Sequence, residues 1–161
     1  MLKTLFTLAV LAAVGWFAWN KYVGGPSRIF ENPVYGEMRA TMNVQGREIE
    51  MVVFARMADE SDCKLRALLS WSNALKACPT CTLTPAKCQA QLPARYARLF
   101  NDEPIPSTYL SASAGKADER DGRMVVFGLT DREGEAIREQ MRSVILQEYR
   151  GSAHCVKASG G

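Results

Sequence analysis

The sequence predicts an α+β domain behind an N-terminal membrane anchor: one antiparallel sheet built from two β-β-α units, with its helices on one face. Three observations predict it. Residues 1–23 are apolar at all positions except Lys3, Thr4, Thr7, Gly15, Asn20 and Lys21. From residue 37, apolar side chains alternate with period two before a helical stripe takes over, and a second candidate hairpin over 109–129 is likewise followed by a helical stripe. The tetrapeptide Met51-Val52-Val53-Phe54 returns as Met124-Val125-Val126-Phe127; each copy closes a candidate hairpin and is followed by an aspartate, Asp59 or Asp131, and a helix.

A chain of 161 residues, 47% apolar and 23% charged, has globular composition, which excludes a largely disordered, collagen-like or multi-span membrane protein. Residues 4–20 are uncharged, a run a little short of the roughly 20 residues that cross about 30 Å of hydrocarbon. Residues 21–23 complete the span if Lys21 reaches back to the headgroups. Trp16, Trp19, Lys21 and Tyr22 are the residues expected at the membrane interface. The competing expectation is a signal peptide cut after Ala13-Val14-Gly15, releasing a soluble periplasmic chain that would start on an exposed Trp-Phe-Ala-Trp. The anchor accounts for those aromatics better. Without Lys3 and Lys21 the formal charge falls from +3 to +1, and nucleic acid as a partner loses its support.

Gly24-Gly25-Pro26-Ser27 and Asn32-Pro33 make residues 24–36 a tether. The domain is expected over residues 37–157, with 158–161 as a loose tail. Met38, Ala40, Met42 and Val44 alternate with polar residues, and Gln45-Gly46 reverses the chain. Ile49, Met51 and Val53 then alternate until Val52 and Phe54 make both faces apolar. Asp59 and Asp62 offer N-cap oxygens to a helix ending near Ala77. Its stripe is Leu65, Leu68, Leu69, Ser72 and Leu75, with Trp71 at the edge, and such a stripe ordinarily faces a core.

Pro79 and Pro85 prevent a continuous helix through residues 78–88. A shorter helix is expected over 93–100, broken by Pro104 and Pro106. Residues 109–114 and 123–129 make a second hairpin around a polar loop. Thr130 and Glu133 have capping-box spacing before a helix that runs to about Tyr149 on a stripe of Ile137, Met141, Val144, Ile145 and Glu148. Residues 153–157 make a closing strand. The two Met-Val-Val-Phe strands would be central, and their side away from the helices needs cover from the short helix, the tether or a second protein.

Five cysteines, Cys63, Cys78, Cys81, Cys88 and Cys155, point to structural disulfides in an exported chain, with one thiol left over. Cys63 and Cys78 lie near opposite ends of one helix, about 22 Å apart. Bridged α-carbons lie within roughly 7 Å, so these two cannot pair. Cys88 is expected to pair with Cys78 or Cys81, and Cys63 with Cys155, leaving the spare thiol within residues 78–81.

Cys78-Pro79-Thr80-Cys81 resembles the active-site pattern of thioredoxin-like oxidoreductases over those four residues alone. The resemblance implies a redox pair, Cys78 and Cys81. Cys78 follows a helix instead of opening one, however, and the helix dipole there disfavours the thiolate. A zinc site from Cys63, Cys78, Cys81 and Cys88 would need one member carried back along the helix, and covalent haem would need a histidine where Thr82 stands.

His154 is the only histidine, so sites that require two are excluded; its neighbour Cys155 points to the opposite face of a strand, against a Cys–His dyad. No Gly-x-Ser-x-Gly, Gly-x-Gly-x-x-Gly or Walker-type run occurs. Asp118, Glu119 and Asp121, interleaved with Lys116, Arg120 and Arg123, read as a solvated turn.

The expected protein is a binding or assembly accessory without catalytic activity of its own, tethered to a bacterial inner membrane with its C-terminal domain in the periplasm. Its partners would be that membrane and an envelope protein, with no cofactor and no metal. The alternative is a periplasmic thiol–disulfide oxidoreductase using Cys78 and Cys81.

Overall fold

The computed structural model describes residues 30–159. The expected anchor, with Trp16, Trp19, Lys21 and Tyr22, lies outside the described residues, as does the tether up to residue 29. Among the described residues no helix is long and apolar enough to cross a membrane.

Local sequence builds the first hairpin. β1 (Val34–Val44) and β2 (Arg47–Met57) pair antiparallel, from Val34 opposite Met57 to Val44 opposite Arg47. Gln45 and Gly46 take φ of 53° and 81°, a two-residue turn whose twist matches that of the strands. The Asn43 carboxamide oxygen accepts from the Gly46 N–H at 3.0 Å. β1 begins inside the stretch expected as tether, because Tyr35 and Gly36 find ladder partners on both sides, in β2 and in Gln89 and Cys88.

α1 (Glu60–Ala77) starts on Asp59, whose carboxylate accepts from the Asp62 N–H at 2.9 Å. The chain returns as β3 (Thr82–Gln89), a strand where only a non-helical insertion was expected. β3 pairs with β1 alone and forms one edge of the sheet. An edge strand leaves half its N–H groups out of the ladder, so Pro85 costs no bond there, and the register slips at a bulge between Glu37 and Arg39.

In place of the short helix stand two 3-10 turns, Ala94–Tyr96 and Leu99–Asn101. β4 (Tyr109–Ser113) and β5 (Gly122–Phe127) make the second hairpin. α2 (Asp131–Glu148) opens on a capping box: the Thr130 hydroxyl accepts from the Glu133 N–H at 3.4 Å, and the Glu133 carboxylate accepts from the Thr130 N–H at 2.9 Å. β6 (Ser152–Val156) closes the other edge. Residues 158 and 159 are not loose: Ala158 N–H donates to the Thr108 hydroxyl at 3.2 Å and Ser159 N–H to the Ile105 carbonyl at 2.8 Å.

The protein is α+β, with one antiparallel six-stranded sheet in the order β3-β1-β2-β5-β4-β6. The two Met-Val-Val-Phe copies lie side by side at its centre, with Val52 opposite Val125 and Val53 opposite Met124. Val52, Phe54, Tyr109 and Val125 share one face, and Tyr96, Leu99 and Ile105 from the 3-10 segment cover it. Each such side chain, fully buried, is worth about 1.5–3 kcal/mol. Of the covers the sequence allowed, the segment around the short helix supplies this one.

α1 lies over β1, β2 and β3, and α2 over β4 and β6. α1 turns a small-residue side to the sheet: Cys63 is fully buried, and Ala67 and Ser70 lie over Gly36, Met38, Val53 and Ala55. Leu65, Leu68 and Leu69 face outward, 62%, 67% and 55% exposed. This reverses the expectation that the leucine stripe meets the core. Cys63 is bonded to β3 and Asp62 to the β4–β5 loop, and together they fix which side of the helix looks inward.

Candidate functional site

The disulfides correct the expected connectivity. Cys63 is bonded to Cys88, with α-carbons 6.0 Å apart, and Cys78 to Cys81, at 5.4 Å. Cys63 cannot meet Cys155, because β3 and β6 are opposite edges of the sheet. The leftover thiol is Cys155, exposed on β6, and not a member of the 78–81 turn. The Cys78–Cys81 pair sits half-buried just past the last residue of α1, at the carbonyl end of the helix. The negative pole there opposes a thiolate, whereas a redox cysteine at a helix N-terminus is stabilised.

The start of α1 is where the chain converges. The Asp62 carboxylate accepts from the Ala58 N–H at 3.0 Å, from Arg66 Nε at 2.8 Å and from Arg120 Nε at 2.7 Å. Arg66 also donates to the Asp118 carbonyl at 2.9 Å, so the β4–β5 loop is laced onto α1. Glu119 accepts from the N–H groups of Gly115, Lys116 and Arg150, and the Tyr149 hydroxyl donates to the Arg120 carbonyl. What read as a solvated turn is therefore a fastening between the two helices' ends. Phe30, the first described residue, lies under the Arg120 guanidinium, 5.4 Å from it to the ring centre. The chain thus enters the domain beside the first turn of α1.

Burial pushes the Asp62 carboxyl up, but Arg120, the Ala58 N–H and Arg66 outweigh it and hold the group at about 2. A free aspartate titrates near 3.9, so this depressed value contributes stability above about pH 4 that is lost as pH falls toward about 2. In urea titrations with disulfides intact, the unfolding midpoint is expected to drop across that window. Asp62→Asn should lower the midpoint at neutral pH and flatten the drop; an unaltered acid slope would refute the assignment.

On the other face of the sheet, Arg123 is 3% exposed and gives every donor group a partner. Its Nε donates to the Leu99 carbonyl at 2.8 Å and its Nη1 to the carbonyls of Ala112 and Gly122, each at 2.8 Å. Its Nη2 lies 3.1 Å from Asp102. The Ser111 hydroxyl donates to the same carboxylate at 2.7 Å, and His154 Nε2 stands 3.8 Å from its other oxygen. Asp102 holds φ of 54°, a conformation that costs an L-residue about 1–2 kcal/mol.

Serine, aspartate and histidine are together here, but not in nucleophilic order. Ser111 is fully buried and bonded to the carboxylate, with the imidazole beyond it, so no base faces the hydroxyl. The cluster pins the 3-10 segment to the sheet. Only the inward parity of Arg123 with Val125 and Phe127 could have signalled it from sequence.

No protein-family model, no curated protein and no solved structure matches the chain.

Among the described residues no three of His, Cys, Asp and Glu converge to hold a metal ion. Of the residues singled out from sequence, the structure brings Cys63 to Cys88 and Cys78 to Cys81, and leaves Cys155 apart. The surface the sequence did not point to is the outer side of α1, where Leu65, Leu68 and Leu69 meet solvent beside the chain's point of entry. It continues into a groove of about 400 Å³ between α1 and β3, lined by Lys64, Ala67, Leu68, Pro85, Ala86 and Cys88.

Proposed function

We propose that this is a binding domain without catalytic activity of its own, held at a bacterial inner membrane by residues 1–23 and serving in the periplasm as an accessory to an envelope protein assembly. Its scaffold, in this reading, is a pair of β-β-α-β units related by a local twofold through the Val52–Val125 pair, with both helices on one face. The observation that carries the reading is the outer side of α1. A domain that buries Val52, Phe54, Leu99 and Val125 completely has nevertheless left three leucines of one helix uncovered. Such an uncovered apolar patch marks a surface meant for contact. The two disulfides fit an oxidising compartment.

A second reading has one observation in its favour: Cys78 and Cys81 are bonded to each other in a half-buried turn, apart from the Cys63–Cys88 bridge. As an oxidant, that bond would take two electrons and two protons from a substrate dithiol, leaving two thiols here and a disulfide there.

The test is made on the full-length chain in membranes of the producing cell. Gentle detergent extraction is expected to yield it from the membrane fraction with one envelope protein in fixed proportion, and the purified chain to turn over nothing in hydrolase and thiol–disulfide screens. Recovery from the soluble periplasm, or dithiol oxidation abolished by Cys78→Ser, would overturn the proposal, the latter in favour of the second reading.

A further inference from the structure

We propose that the leucine side of α1 lies on the surface of the lipid bilayer, so that the domain rests on the membrane instead of hanging free from its tether. The inference rests on the anchored reading above and deepens it by naming what this surface contacts.

The place where the chain enters sets the geometry. Phe30 is held under Arg120, and Arg120 is ion-paired to Asp62 in the first turn of α1. Between Val23, where the apolar run ends, and Phe30 there are seven residue steps, which span at most about 25 Å when fully extended. Phe30 therefore stays within about 25 Å of the end of the apolar run, and the first turn of α1 lies one stacked Arg120 side chain beyond it. Leu65, Leu68 and Leu69 follow Asp62 by only about 5–10 Å along the helix axis. α2 reaches the same Arg120 through Tyr149 at its far end, but its exposed Val144 and Leu146, at 49% and 40%, are more covered than Leu65, Leu68 and Leu69.

The chemistry of the patch suits a phospholipid. The leucines are joined to an apolar groove walled by Ala67, Leu68, Pro85 and Ala86, a shape that receives hydrocarbon. Lys64 stands at the rim, 70% exposed at its side chain, with its ammonium 2.7 Å from Glu60 and free to turn toward headgroup phosphate. Apolar side chains on one face with a lysine at the boundary are the pattern of a helix lying in the interface plane. The inner side of α1 permits this inversion. Cys63 and Ala67 seat the helix on the sheet, and the Cys63–Cys88 bond holds it there without the leucines.

The experiment uses the full-length chain reconstituted into vesicles of phosphatidylethanolamine and phosphatidylglycerol, with the photoreactive residue p-benzoylphenylalanine placed at position 68 or, as control, at exposed Glu139 on α2. Illumination is expected to attach phospholipid at 68 and not at 139, read by intact mass. A 68 adduct to a second copy or to residues 1–23 without lipid, or equal lipid at both positions, overturns the proposal. The variant carrying Leu65→Ser, Leu68→Ser and Leu69→Ser should stay with the vesicles through a carbonate wash yet lose the protection from hydrogen exchange that vesicles give to α1. The two readings fail separately. A chain that washes off but still takes lipid at 68 sinks the anchor and keeps the docking. A chain that stays but takes none does the reverse.

Discussion

Replacing Arg123 with methionine is expected to destabilise the domain by about 2–4 kcal/mol, because buried carbonyls lose a charged donor at about 1–3 kcal/mol each, while the Asp102 carboxylate left behind is 37% exposed. Arg123→Met keeps an unbranched, apolar side chain of similar reach, so the loss reports the hydrogen bonds and not a cavity. It leaves the Leu99 and Ala112 carbonyls without the donor that Arg123 supplies, and Asp102 without its buried cation. It also removes the guanidinium that lies 4.8 Å from the centre of the Phe100 ring. Leu99 and Phe100 belong to the segment that covers the central strands, so the damage spreads to the core. Asp102→Asn is the milder companion, at about 1–3 kcal/mol, because Arg123 keeps its three carbonyls. Urea unfolding at neutral pH, with disulfides intact, measures both. A loss below about 1 kcal/mol for Arg123→Met would show that the cluster is not the clamp described, since a lone exposed pair is worth no more than that.

The second large effect belongs to the Cys63–Cys88 bridge. It closes a separation of 25 residues, and loop-closure entropy assigns such a crosslink about 3–4 kcal/mol. Cys78 and Cys81 are separated by 3, for which the same relation gives about 2 kcal/mol. The expected result is that Cys63→Ala with Cys88→Ala lowers the urea midpoint substantially more than Cys78→Ala with Cys81→Ala. The structure adds a reason beyond entropy: β3 pairs only with β1, and the bridge is its covalent tie to α1. Equal losses from the two double variants, or a larger loss from the second, would overturn the assignment of the long bridge as the structural one.

Much of the fold was legible because its signals are local. The alternation from Met38 to Val53 and the Gln45-Gly46 reversal give β1 and β2, and Thr130 with Glu133 gives the start of α2. The repeated Met-Val-Val-Phe marks two strands that prove to be neighbours. β3 was not legible, since Pro85 argues against a strand unless that strand is known to lie at an edge. Nor was the outward turn of α1. A stripe of leucines says that a helix has an apolar side, but not whether that side meets a sheet, a lipid or another chain.

By itself the sequence determined both hairpins, the two long helices, the repeat at the centre of the sheet, the apolar run at residues 1–23 and the number of cysteines. These follow from periodicity, capping and composition, which a window of a few residues contains. Only the tertiary structure decided that Cys63 meets Cys88, that Cys155 is left over, that Arg123 is buried and that Leu65, Leu68 and Leu69 are not. Each of those depends on which distant parts of the chain the sheet order brings within a few ångströms, and the pairing of β2 with β5, with β3 and β6 sent to opposite edges, settles them together.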